Sequence, residues 1–199
     1  VYDKKFNNEK IKIVYIGRFN AGHDLDVILN AAQILLFEKK IKSIFFDIYG
    51  YGDKLLDINK KILEKKLINV NLRGKLKKSD IFKTLKKYDL ALCTITNSKV
   101  YKWGINLNKI YEYMNSSMPI IFTGNVPLNP VLKAKCGYVC HASDHKMLAK
   151  KILKFSNLSN IQKLKLSKNA KSFFDNSYNI QKQTKNLENF LISKNNQGS

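Results

Sequence analysis

Residues 104–122 carry the clearest chemical potential in the sequence. A glycine-led loop precedes Asn108, Lys109 and Glu112 in a predicted short helix, and Pro119 then precedes an apolar strand. Because Lys109 and Glu112 are three residues apart, a helix places an ammonium and a carboxylate on one side. A helix that opens after such a loop points free N–H groups and its positive dipole end at the loop, which favours a phosphate. Glu112, further in, is placed to accept hydrogen bonds from hydroxyls. The pattern predicts a site for a ribose diphosphate.

A second chemical segment follows the first predicted strand. The β-branched run 12–16 ends at Gly17, and Arg18 and His23 occupy the loop before Asp24, which is predicted to cap a helix. This loop lies at the carboxyl end of a strand, where parallel α/β sheets bind ligands. Arg18 carries a permanent, forked charge that suits two phosphate oxygens at once. A lone histidine before a helix is also typical of a neutral capping or packing residue, so His23 has two interpretations.

Alternating strands and helices predict the fold class. It is α/β, a Rossmann-like, doubly wound and mostly parallel six-stranded sheet with helices on both faces. Predicted strands span residues 12–16, 44–49, 70–74, 88–92, 120–122 and 137–140, and predicted helices start at Asp24, after Gly52, at Ser79, within 104–122, at Ser143, and over 161–174 and 180–191. We expect a linker remnant over 1–10, one domain over 11–192 and a disordered tail over 193–199.

One further glycine pattern, Gly50-Tyr51-Gly52, has only weak meaning. It lacks the third glycine and the acidic residue of a dinucleotide-binding Rossmann fingerprint. A tight strand-to-helix turn explains it at least as well.

Charge and composition narrow the function class. The 199 residues include 36 Lys and Arg against 15 Asp and Glu, a formal charge of +21. Such a charge is typical of nucleic-acid or anionic-membrane surfaces. However, only Arg18 and Arg73 are arginines and the lysines spread over many helix faces, which favours solvated helices and an AT-rich coding genome. A hydrophobic content of 44% indicates a folded chain rather than disorder.

The sequence also limits location and metal chemistry. No apolar run has the length of a membrane span and no signal-peptide pattern opens the chain, so we expect a cytoplasmic domain. Cys93, Cys136 and Cys140 lack metal-ligand spacing and are expected to be buried thiols. Neither a metal nor a cofactor is expected.

The segment 104–122, with Asn108-Lys109 followed by Glu112-Tyr113-Met114 and then Pro119-Ile120-Ile121, resembles the donor-nucleotide segment of GT-B glycosyltransferases. It is most similar to the family 4 retaining enzymes that build bacterial surface polysaccharides. In that family two glutamates bracket seven residues, and the second binds the ribose. Glu112 matches the second glutamate, whereas Gly104 stands at the first, which usually meets the donor sugar. The resemblance extends over about residues 11–191.

The resemblance implies roles for residues outside this segment as well. Arg18 matches the first of two basic residues that neutralise the departing diphosphate, and His23 stands where the second, often a lysine, is found. The loop after the strand 70–74 would read the nucleobase. The implied catalytic residues are Arg18, His23 and Lys109, and the implied donor-binding residues are Gly17, Arg18, Gly74, Lys75, Leu76, Asn106, Leu107, Asn108 and Glu112.

The implied function is that of a donor domain. It would bind a nucleotide-diphosphate sugar for transfer to a glycan or lipid-linked acceptor, as in capsule or lipopolysaccharide synthesis, in the cytoplasm or on the inner face of the membrane. The acceptor-binding half of a GT-B enzyme is missing from this sequence, so the isolated domain is expected to be inactive. Two alternatives remain: another GT-B enzyme such as an epimerase or phosphorylase, and a non-enzymatic polyanion-binding α/β domain.

Overall fold

The fold is a six-stranded parallel sheet with helices on both faces. The computed structural model describes residues 6, 9–103, 105, 107–177, 184, 185, 187–190 and 192. All ladders are parallel, and the strand order is β3-β2-β1-β4-β5-β6. The strands are β1 (Ile11–Arg18), β2 (Ile44–Tyr51), β3 (Val70–Gly74), β4 (Leu90–Thr94), β5 (Ile120–Thr123) and β6 (Gly137–Cys140). This is the doubly wound order with its switch point between β1 and β4, and it confirms the predicted fold class.

Helices connect the strands by crossovers. They are α1 (Asp26–Gln33), α2 (Leu55–Glu64), α3 (Ile81–Leu85), α4 (Asn108–Asn115), α5 (Pro130–Lys133), α6 (His145–Ser156) and α7 (Asn160–Ser177). A π-helical turn, Ile34–Glu38, continues α1, and short 3₁₀ helices cover Lys78–Asp80 and Lys99–Trp103. No helix in the described part of the chain is long and apolar enough to cross a membrane.

Two hydrophobic layers enclose the sheet because successive strand residues face opposite sides. Ile13 and Phe46 point to the layer beneath α1 and α6. Val14 and Phe122 point to the opposite layer, which also receives Ile110 from α4. Within the described chain the three cysteines are free and buried, distributed between these layers, as expected.

Two predicted helix caps are wrong. Ser79 lies inside a 3₁₀ turn and its hydroxyl contacts Asp80 rather than a helix amide. Ser143 does not cap α6; Asp144 does, by accepting a 2.8 Å hydrogen bond from the Met147 amide. The Ser143 hydroxyl instead donates to the Asp24 carboxylate at 2.6 Å, which ties the loop before α6 to the loop after β1.

Element boundaries differ modestly from the predictions. β1 and β2 run to Arg18 and Tyr51, two residues beyond the predicted ends, because they pair with each other along their whole length. The short helix α5 was not predicted, although Asn129 caps it by accepting from the Val131 amide. Of the predicted helix over 180–191, residues 184, 185 and 187–190 are described and are helical, whereas the predicted tail lies outside the described residues.

Candidate functional site

The carboxyl ends of β1, β2 and β3 form one edge of the sheet. Parallel pairing sets Gly17 beside Gly50 and Arg18 beside Tyr51, while Gly74 pairs with Tyr49. The loops that follow these strands therefore meet at a single edge, next to the switch point between β1 and β4. In doubly wound sheets this is where ligands bind.

Gly50 allows the ends of β1 and β2 to approach closely. A Cβ atom on Gly50 would collide with the carbonyl oxygen of Gly17, and one on Gly52 would collide with the carbonyl oxygen of Phe19. The Phe19 amide also donates a 2.8 Å hydrogen bond to the Tyr51 carbonyl. The Gly50-Tyr51-Gly52 pattern is thus a tight packing turn, the plainer of its two interpretations.

Tyr51 brings two cations together at this edge. The Arg18 guanidinium carbon lies 5.5 Å from the centre of the Tyr51 ring, and the Lys75 ammonium lies 4.8 Å from it. Both cationic residues are exposed. Lys75 follows Gly74, whose φ of +70° is in the left-handed region that glycine favours. The structure thus assembles a positively charged ledge from Arg18, Tyr51 and Lys75; the sequence analysis identified only its two cations.

Lys109 reaches the end of β1 from the first turn of α4. Its ammonium donates a 3.2 Å hydrogen bond to the Tyr15 hydroxyl and lies 4.6 Å from the centre of that ring. A Cβ on Gly17 would lie only 2.6 Å from this ammonium, so glycine leaves the space it occupies. Burial lowers the pKa of Lys109, while Cys93 and Glu112 oppose that shift. An anion bound here would favour the charged form of Lys109, which burial disfavours.

His23 lies close enough to Lys109 for their charges to interact. Burial, followed by repulsion from Lys109, lowers the pKa of His23 from 6.5 to about 4, and a hydrogen bond with the Thr94 backbone opposes the shift. The imidazole is therefore neutral at pH 7. Its Nδ1 atom is buried without a hydrogen-bond partner in the described chain. A neutral ring can donate or accept one hydrogen bond to a ligand, but it adds no second positive charge.

Tyr113 fixes α4 against β1. The ladder between β1 and β4 ends at Tyr15 and Leu92, so the next β1 residue, Ile16, has no partner there. The buried Tyr113 hydroxyl accepts a 2.8 Å hydrogen bond from the Ile16 amide and lies 3.4 Å from the Ile16 carbonyl, to which it donates. Sequence analysis named Tyr113 as part of the segment that resembles the family but gave it no role. The three-residue spacing from the buried Ile110 predicts its burial, but not its hydrogen bonds to β1.

The remaining predicted site residues surround the amino end of α4 or lie beyond β3. Asn106, like Gly104, falls outside the described residues. Leu107 occupies the cap position in extended conformation, and no side chain caps the helix that Asn108 begins. Glu112 is half-buried one turn in, and its charge raises the pKa of Lys109. Leu76 is half-buried after the Gly74-Lys75 turn.

The structure thus places the predicted residues in two adjoining groups. One group consists of Gly17, Lys109 and His23 at the switch point, and the other of Arg18, Gly74 and Lys75 around Tyr51. Gly17 and Arg18 are neighbours in the chain, so the groups form one continuous basic edge. The class of protein that the fold defines is the doubly wound α/β domain, in which ligands bind at this edge, and the positive charge there suits an anionic ligand.

Residues 2–173 match the family described as glycosyl transferases group 1, and the chain belongs to this family. Its fold is that of the C-terminal domain of GT-B glycosyltransferases. A search among proteins of curated function finds no match.

Solved structures of similar fold come from several bacteria. A TarM variant from S. aureus, solved with UDP, fondaparinux and alpha-GlcNAc-glycerol, is 23% identical with a TM-score of 0.76, over 94% of this chain and 36% of TarM. The C-terminal domain of LpcC, a group 1 glycosyl transferase from Francisella tularensis, is 18% identical with a TM-score of 0.70, over 85% of this chain and 87% of that domain. HepE from Anabaena, solved with UDP and glucose, is 14% identical with a TM-score of 0.73, over 93% of this chain and 49% of HepE. The chain thus spans about a third of TarM.

Proposed function

We propose that this domain holds the nucleotide-diphosphate sugar of a retaining, family 4 glycosyltransferase. The observation that carries the proposal is the meeting of Lys109 with Gly17 at the switch point, beside the ledge of Arg18 and Lys75. Four groups there suit a diphosphate: a guanidinium, two ammonium groups and an uncapped helix end. The UDP in the HepE and TarM structures supports a nucleoside diphosphate as the ligand class.

Each part of the donor has a residue of matching chemistry. The diphosphate would lie between Arg18 and Lys109, with the amide groups of Leu107 and Asn108 facing it. Glu112 would accept hydrogen bonds from the ribose hydroxyls. The backbone after β3, from Gly74 through Leu76, would contact the nucleobase. Gly104 offers no carboxylate to the sugar.

The proposed chemistry depends on charge stabilisation rather than on a protein base. As the bond between the sugar and the diphosphate breaks, negative charge grows on the departing phosphate. Lys109 is held by its hydrogen bond to Tyr15 and Arg18 lies against the Tyr51 ring, and charges positioned before the reaction stabilise such a transition state most effectively. The neutral His23 ring would contribute a hydrogen bond. No metal ion or cofactor takes part in this proposal.

The acceptor belongs to the part of the enzyme not contained in these residues. We infer a glycan or lipid-linked acceptor of surface-polysaccharide synthesis, bound by an N-terminal domain, with the reaction at the cytoplasmic membrane face. The isolated domain is then expected to bind a donor without transferring its sugar.

A thermal-shift panel of UDP, GDP, ADP and their sugar conjugates tests the proposal. At a hundred times its Kd, a ligand specific for the native state stabilises by about 2.7 kcal/mol, which corresponds to about 5–10 °C for a domain of this size. One base should stand out, and the diphosphate should shift the Tm more than its nucleoside. A Lys133→Ala variant, altered at an exposed residue of α5, is the matched control and should respond like the wild type. No shift with any member of the panel would refute the proposal.

A further inference from the structure

A groove lies on the sheet face opposite α1, away from the donor site. The helix α2 does not cover it, because α2 lies beside α1, where Lys61 contacts Asp26 and Lys65 contacts Asn30. The helix α3, on the groove side, has only five residues. The groove has a volume of about 500 Å³, in the range of small-ligand sites. Basic, aromatic and polar side chains from β1, β2, β3 and the segments before β1 and β4 line it: Lys10, Lys12, Phe45, Asp47, Tyr49, Asn71, Arg73, Lys87 and Tyr88.

The floor of the groove is a fixed hydrogen-bond network centred on Asp47. Its carboxylate accepts from the Tyr88 hydroxyl at 2.6 Å, from the Asn71 amide at 2.9 Å and from the Arg73 guanidinium at 3.1 Å. Because Tyr88 donates its proton to Asp47, the Tyr49 hydroxyl, 3.0 Å away, donates to Tyr88. The Tyr49 and Tyr88 rings meet edge to face with centres 6.3 Å apart. Polar and aromatic groups are therefore held in place before any ligand arrives.

The walls of the groove are positively charged. Lys10, Lys12 and Lys87 are exposed, and none of them has an ion-pair partner among the residues that the structure describes. Asp47 is the only acidic residue among the described residues that line the groove, and Arg73 already neutralises it. Lys61 shows the contrast, because it is paired with both Asp26 and Asp57. Within the described part of the chain, the groove thus has three ammonium groups without an ion-pair partner, above a floor whose carboxylate is paired with Arg73.

We propose that this groove binds an anionic glycan, a chain of sugar units that carry negative charges. Half-buried aromatic rings, Phe45 and Tyr49, present apolar surface to sugar rings, while Asn71 and the remaining acceptor capacity of Asp47 meet hydroxyls. The lysines meet the acidic groups. Nucleic acid fits less well, since stacking of successive bases needs ring faces that are open to solvent, whereas the Phe45 and Tyr49 rings are half-buried.

The direction of the groove connects it with the donor edge. Lys10 and Lys12 lie at the amino end of β1, whereas Tyr49 and Arg73 lie directly before Gly50 and Gly74 at the carboxyl edge. A glycan in the groove would run along the strands toward the edge where the donor is proposed to bind. It would be held by this domain independently of the nucleotide.

The test is binding of an oligogalacturonate of defined length to the full chain, measured by calorimetry. The double variant Lys12→Gln/Lys87→Gln should weaken binding about three- to tenfold, while Lys12→Arg/Lys87→Arg should retain it. The matched control Lys165→Gln/Lys168→Gln removes the same charge from exposed positions on α7 and should change affinity less than twofold. A neutral maltooligosaccharide of equal length should bind far more weakly, and UDP should not displace the oligogalacturonate.

Three results would overturn the proposal. Absence of oligogalacturonate binding by the wild type would refute it directly. Equal losses in the groove variant and the α7 control would mean that overall charge, not the groove, binds the glycan. Single-stranded DNA of equal length that binds more tightly, and loses affinity in the groove variant alone, would assign the groove to nucleic acid. Thermal denaturation of each variant checks that the fold is intact.

Discussion

His23 should make the domain sensitive to mild acid in a way that one substitution removes. Its folded pKa of about 4 lies below the ordinary value of 6.5, so between these values the unfolded chain binds a proton that the folded chain does not. The contribution of His23 to the free energy of unfolding is therefore fully present above pH 6.5, decreases as the pH falls from 6.5 to 4, and changes no further below pH 4. The full pKa difference corresponds to at most about 3 kcal/mol, and solvent screening of the half-buried ring reduces this to about 1–2 kcal/mol.

Urea denaturation of the wild type and of His23→Asn at pH 4, 5, 6 and 7 measures the effect. Carboxylates titrate in both proteins, so the difference between the two free energies of unfolding isolates His23. That difference should shift in favour of the variant by about 1–2 kcal/mol between pH 7 and pH 4. A Lys109→Met variant should raise the pKa of His23 part of the way to 6.5, because repulsion by Lys109 is the second cause of the depression and burial the first.

Imidazole NMR signals, with that of His23 assigned by its loss in His23→Asn, give the pKa directly. A His23 signal that titrates near pH 6.5 in the folded wild type, with parallel acid-stability curves for wild type and variant, would refute the reasoning. His23 would then be charged often enough at physiological pH to act as the second cation that the family resemblance implies. A pKa near 4 would leave the cationic work to Arg18, Lys75 and Lys109.

Three further predictions concern the site and its frame. Arg18→Ala should lower nucleoside diphosphate affinity about ten- to a hundredfold and hardly change nucleoside affinity, because charge-assisted hydrogen bonds contribute roughly 1.5–3 kcal/mol. Calorimetric titration with both ligands measures this. Equal losses of affinity for the two ligands would contradict the assignment of Arg18 to the diphosphate. Glu112→Gln should weaken nucleoside and diphosphate by one similar, smaller factor and should penalise a deoxyribose ligand less than a ribose one; unchanged affinities in both variants with an intact fold would show that the nucleotide site lies elsewhere. Gly50→Ala should lower the free energy of unfolding, measured in urea, by about 1–3 kcal/mol or more, because its methyl group would collide with the Gly17 carbonyl. The control Gly22→Ala, whose methyl group has its nearest neighbours at 3.4 and 3.5 Å, should be nearly neutral. Equal stabilities of the two variants would contradict the close packing of β1 and β2.

Patterns local in sequence predicted most of the fold. The segment 70–74, predicted as a strand, became β3 with its predicted ends, and the helical spacing of Ile110 and Met114 became the buried side of α4. Local chemistry was harder to assign where two candidates stood together. Ser143 and Asp144 both suit a helix cap, and the carboxylate takes that place because the serine hydroxyl is bonded to Asp24, 119 residues earlier in the chain.

The site was predictable as a list of residues but not as an arrangement. Contact between Lys109 and Tyr15 depends on β1 lying next to β4, a neighbourhood that no short segment specifies. The ledge on Tyr51 depends equally on the pairing of Arg18 with Tyr51 across two strands. The depression of the pKa of His23 could not be foreseen either, since it arises from burial and from a lysine 86 residues away in the sequence.

The hydrogen bonds between Tyr113 and Ile16 affect the rate of ligand association and the chain entropy lost on binding. They join the helix that carries Lys109 to the strand that carries Arg18, so both cations belong to a single mechanical unit before a ligand arrives. The backbone of the site is therefore preorganised, and little backbone entropy is lost when a diphosphate binds. Association should therefore proceed in one kinetic phase limited by encounter, its rate rising with ligand concentration without a plateau from a slow isomerisation. Tyr113→Phe keeps the ring but removes the hydroxyl, so it should weaken the attachment of α4 to β1. We expect it to lower the association rate of the diphosphate while leaving every charge in the site unchanged.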